Sequence, residues 1–122
     1  MTTEYKKTTG SPAIDRLVVA LRRHLESFMH HANYPYTQND VDACISLLID
    51  YTIKVRETTS RDEAMEIVES TVLKLNDINE NCGCALIETA EREEIAEIII
   101  LAGHEMGYNT MNEDITEEWR DW

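Results

Sequence analysis

The chain has 122 residues and a formal net charge of −13, with 24 acidic against 11 basic side chains and three cysteines. That length suits one domain able to bury a core without metals or disulfides as staples. The charge argues against nucleic acid and anionic membrane as partners and admits a cationic one.

Residues 1–10 are polar and read as a disordered N-terminal tail, with a single helical domain over 11–122. No signal-peptide core precedes it, and the longest aliphatic run, Ile98 to Ala102, is far short of a membrane span. The expected location is cytoplasmic. Cys44, Cys82 and Cys84 form an odd count, and Cys82 and Cys84 are too close for an ordinary disulfide, so reduced thiols are expected.

Ser11-Pro12 is an N-cap followed by proline at the first helical position, where its missing N–H costs nothing. Ile14, Leu17, Val18, Leu21, Leu25, Phe28 and Ala32 then recur at helical spacing, which predicts a helix from about Pro12 to about Ala32. Thr37 and Asp40 make a capping box with Asp in place of Glu, opening a second helix with the stripe Val41, Cys44, Ile45, Leu48, Thr52 and Val55. Ser60 and Glu63 open a third, whose stripe runs from Ala64 to Ile78 before Cys82-Gly83 ends it.

Thr89 is the expected N-cap of the fourth helix, and Ile95, Ile98, Ile99, Ala102 and Met106 lie along its inner face until Gly107 stops it. Ile100 and Leu101 widen that face, so this helix should touch more than one neighbour. Asp114 with Glu117 resembles one more capped start, and Ile115, Trp119 and Trp122 then form the edge of a short terminal helix. No alternating run argues for a sheet. The expected fold is all-α: an antiparallel four-helix bundle with a short C-terminal helical segment.

The LIET run of Leu86 to Thr89, the REEI of Arg92 to Ile95 and the closing DITEEWRDW of Asp114 to Trp122 resemble a pattern in small uncharacterised bacterial all-helical proteins. That resemblance covers 17 of the 122 residues and implies a bacterial origin and a single domain ending in the tryptophan segment. It implies no activity and no functional residue.

Chemistry is sparse in the sequence. No histidine has Glu three residues before it, which excludes the di-iron carboxylate pattern of helical bundles. His24 and His31 share a face of the first helix; a metal site there needs ligands from another helix, with Glu66, Glu69 or His104 as candidates. Cys82-Gly83-Cys84 lacks the second pair that structural zinc requires, and helix termination explains its glycine. No nucleophile elbow, phosphate loop or His-Glu-x-x-His helix is present, so no catalytic residue, metal site or cofactor is assigned.

Charge placement carries the functional reading. Residues 1–56 hold seven basic and six acidic side chains, whereas 57–122 hold four basic and eighteen acidic, a balance of −14. Glu91, Glu94 and Glu97 step along one helix and Glu117, Glu118 and Asp121 close the chain. These six, with Tyr36 as an aromatic anchor, are the expected contacts with a basic protein partner. The leading reading is a non-enzymatic acidic binding protein of the immunity or inhibitor type that neutralises a cationic, nuclease-like partner. Two alternatives stand beside it: a homo-oligomeric helical scaffold, a homodimer joined through Leu47, Ile49, Ile53 and Ile100, and a metal-binding or enzymatic bundle using His24 and His31.

Overall fold

The structure is a computed structural model that describes residues 8–30 and 34–122. Among them are four α-helices and no strand: α1 (Pro12–Ser27), α2 (Gln38–Arg56), α3 (Arg61–Asn81) and α4 (Thr89–Glu105). No helix is long and apolar enough to cross a membrane.

Each helix begins where a side chain takes up a free backbone N–H. Ser11 Oγ accepts from Ile14 N at 3.2 Å ahead of α1, and Ser60 Oγ accepts from Glu63 N at 3.2 Å ahead of α3. Asp40 Oδ2 reaches back to Thr37 N at 2.8 Å, so Asp does serve as the reciprocal member of the α2 box. On α4 the cap lies one residue earlier than expected. Glu88, not Thr89, is the N-cap, and Glu91 Oε1 accepts from Glu88 N at 3.0 Å.

The ends are equally local. After α3 the N–H of Gly83 bonds to Glu80 O and that of Cys84 to Asn79 O; after α4 the N–H of Gly107 bonds to His104 O and that of Tyr108 to Gly103 O. Both are Schellman closures, with Gly83 at φ 65° and Gly107 at φ 80°. Helix α1 stops short of the expected Ala32. It ends at Ser27 and tightens into a 3-10 turn, Phe28–His30. Ser27 Oγ donates to His24 O at 2.7 Å and so competes for a carbonyl the helix would use. Ala32 and His31 lie outside the described residues.

Helix α1 packs on α2 and α4, and α2 packs on α3 and α4. Ile14, Leu21, Leu25, Val41, Ile45, Leu48, Tyr51, Val55, Val68, Val72, Leu75, Ile95, Ile98 and Ile99 form one continuous core. Ser11 Oγ donates to Glu105 at 2.9 Å, while His24 near the other end of α1 meets Glu91 and Glu94, so α1 and α4 are antiparallel. The folded part starts ahead of Ser11: Thr9 is buried, and its N–H and hydroxyl both donate to Asp15 Oδ1.

The expected terminal helix does not form. Residues 115–119 make turns, and the segment after α4 lies back along α3. Asn76 of α3 donates to Trp119 O at 2.9 Å and accepts from Asp121 N at 3.1 Å. Ile115 and Thr116 are buried, and Trp119 and Trp122 pack half-buried against the core. Asn109 Nδ2 ties the same segment to α4 through Ile100 O at 3.1 Å. The widened apolar face of α4 is therefore used within the chain: Ile100 is buried, and Leu101 packs partly buried on the core. Leu47 and Ile49 do likewise.

Candidate functional site

Antiparallel packing brings the last turns of α1 against the first turns of α4, where three chemistry-bearing side chains converge. His24 projects from α1; Glu91 and Glu94, three residues apart, share a face of α4. His24 Nε2 lies 3.2 Å from Glu91 Oε2, and His24 Nδ1 lies 2.6 Å from Glu94 Oε1. A protonated ring donates to both carboxylates, whereas a neutral ring has a single N–H to share between them.

The three groups differ in setting. Glu91 is 4% exposed, and its other oxygen is held by the Glu88 N–H at the positive end of the helix dipole. Glu94 keeps a third of its side chain in solvent, which leaves the cluster open on one side. The Phe28 ring sits 5.1 Å from the imidazole, Tyr34 stacks beyond Phe28, and Tyr34 meets Tyr36 edge-on at 4.8 Å. Tyr36 donates to Leu25 O at 2.7 Å from a buried position; burial and the nearby charges of Tyr34, Glu91 and Glu88 push its phenol up, so it stays protonated.

Two of the three thiols are held protonated by the same physics. Burial pushes Cys44 up to about 12, and burial together with Asp40 pushes Cys82 up to about 11. Cys84 is exposed, and all three are free. Its φ of 63° follows from the closure of α3.

A second feature lies where α3 ends and the C-terminal segment crosses it. Asp77 and Glu80 occupy the last turns of α3, at the negative end of its dipole, and the last turn carries no basic residue. Asp121 adds a third carboxylate. Its hydrogen bond to Glu80 and its charge, with the charge of Asp77, raise the proton affinity of Glu80 above its ordinary value.

The residues expected from sequence therefore separate. Glu97, Glu117, Glu118 and Asp121 are exposed, and Glu94 is half-exposed beside His24. Glu91 does not belong to an outer face: it caps α4 and is enclosed against His24. Tyr36 is not a free anchor either, since it is 3% exposed and its hydroxyl is spent on α1. Glu66 and Glu69 stay exposed on α3, and His104 Nδ1 lies 2.9 Å from Asn109 O near the opposite end of α4, so none of the three joins His24. His31 lies outside the described residues. The sequence did hold one signal for the pairing of His24 with Glu91: a cap moved from Thr89 to Glu88 makes Glu91 the third helical residue and points it inward.

No family model matches the chain, and neither a curated protein nor a solved structure does.

Proposed function

We propose that this protein is a non-enzymatic acidic binding protein, of the immunity or inhibitor type, that covers a cationic surface on a nuclease-like protein partner. The observation that carries the reading is the carboxylate group Asp77, Glu80 and Asp121, gathered at the negative end of α3 where the C-terminal segment crosses it, with Asp121 and Asp77 raising the proton affinity of Glu80. Such a group repels itself within the chain. A basic partner relieves that repulsion, and the surrounding negative field steers its approach.

Glu117 and Glu118, exposed on the same segment as Asp121, extend the surface, and Glu97 with Glu94 adds charge on α4. Glu91 and Tyr36 drop out of the contact set because they are buried. The second half of the chain, with eighteen acidic and four basic residues, supplies the long-range field.

The test is capture from an extract of the source organism at low salt, followed by elution with rising salt. The expected result is a strongly basic protein that elutes at high salt and whose nucleic-acid-processing activity the chain inhibits. A paired Glu80→Lys and Asp121→Lys variant, still folded, should lose most of that binding. Recovery of no basic protein at low salt, or undiminished binding by the charge-reversed variant, overturns the reading.

A further inference from the structure

We propose that His24, Glu91 and Glu94 form a binding site for a divalent first-row transition metal ion of the zinc type. One donor atom from each residue lies within 4.8 Å of the other two. An ion held at about 2.0–2.2 Å from nitrogen and oxygen ligands sets those ligands roughly 3.0–3.5 Å apart, whether the shell is tetrahedral or octahedral. The 3.2 Å between His24 Nε2 and Glu91 Oε2 already has that value. The remaining adjustment belongs to Glu94: its Oε1 sits 2.6 Å from the other ring nitrogen, Nδ1, so for an ion on Nε2 its half-exposed side chain leaves that contact and turns toward the Glu91 side of the ring.

The scaffold is rigid where rigidity matters. Glu91 and Glu94 stand on the opening turns of one helix and His24 on a facing helix, so closing the site requires side-chain rotation only. Glu91 is further fixed by the Glu88 N–H, and the Phe28 ring covers the imidazole on one side. The solvent side at Glu94 is the entry path, and it leaves positions for water or an incoming ligand.

Charge supplies the driving force. Among the described residues, two carboxylates, one of them almost wholly enclosed, face one group able to carry positive charge, an imidazole that can lose it. Among the described residues no lysine or arginine forms an ion pair with Glu91 or Glu94. A dication balances both carboxylates where a proton on His24 balances one. The mixed nitrogen and oxygen set favours zinc-type ions over magnesium or calcium, which prefer all-oxygen shells.

The experiment uses the full chain without a histidine tag, stripped by chelator, and titrated calorimetrically with zinc chloride near neutral pH. One ion should bind per chain with a dissociation constant below about 100 µM, and the melting temperature should rise with added zinc but not with magnesium. Glu94→Gln, at a half-exposed position that tolerates change, should weaken binding at least about 10-fold. His24→Gln should abolish it. If His24→Gln fails to fold by circular dichroism, Glu94→Gln decides. No binding below about 100 µM, or equal binding by parent and Glu94→Gln, overturns the proposal and leaves the cluster as a proton-bridged contact between α1 and α4.

Discussion

Gly103 shows how one residue can depend on a partner that is invisible in sequence. A glycine inside a helix costs about 1 kcal/mol relative to alanine, so its presence in α4 needs a reason. A Cβ there would lie 2.1 Å from Asn109 Oδ1, inside any allowed contact. Asn109 is buried and cannot swing away freely, because its Nδ2 is committed to the carbonyls of Ile100 and Thr110. Gly103→Ala is therefore expected to destabilise the protein by about 1–3 kcal/mol, the usual range for an overpacked site, and to loosen the C-terminal segment first. Tryptophan fluorescence reads this directly, since Trp119 and Trp122 both lie on that segment; an unchanged spectrum and melting temperature would contradict it. Asn76→Ala removes the two hydrogen bonds that hold Trp119 and Asp121. Its expected cost is about 1–3 kcal/mol, with the same spectral signature.

The helices were legible because their start and stop signals are local. Thr37 with Asp40, Ser60 before Glu63, Gly83 and Gly107 each act within a few residues, and the structure places a hydrogen bond or a left-handed glycine at every one. The terminal segment was misread for a related reason: Asp114 looks like a helix cap because a helix cap and an isolated turn begin with the same side chain. Here Asp114 Oδ1 accepts from both Thr116 N and Thr116 Oγ1, which closes a local turn in place of a helix. Burial pushes the Asp114 carboxyl up, but the Thr116 bonds and Arg120 outweigh it and hold the group below its ordinary value. Because the folded value is depressed, this stabilisation is complete above the unfolded value of 3.8 and is lost as pH falls through the folded one. Acid titration followed by tryptophan emission should show the segment releasing at a lower pH in the parent than in Asp114→Asn, which should already be loosened at neutral pH.

At the scale of the whole molecule, the apolar stripes were enough to give a four-helix fold, but the position of His24 against Glu91 depends on which helix ends meet. Residues 24 and 91 are far apart in sequence, and only antiparallel packing of α1 on α4 joins them. The acidic half was legible from charge counts, whereas its concentration at Asp77, Glu80 and Asp121 depends on the chain doubling back over α3. This concentration has a testable sign. Glu80 titrates above its unfolded value, so in the window above pH 4.5 the folded chain holds a proton the unfolded chain has released, and stability falls as pH rises through that window. Glu80→Gln removes the repulsion. At neutral pH and low salt it should melt at the same temperature as the parent or higher, the gain shrinking in 0.5 M salt as screening shortens to about 4 Å. The same change should weaken capture of a basic partner. A surface kept for folding alone would lose stability together with binding, whereas one held for docking gains the first while losing the second. Thermal melts and binding assays on Glu80→Gln, run side by side at two salt concentrations, separate the two; a fall in melting temperature at low salt would show that the three carboxylates stabilise the fold.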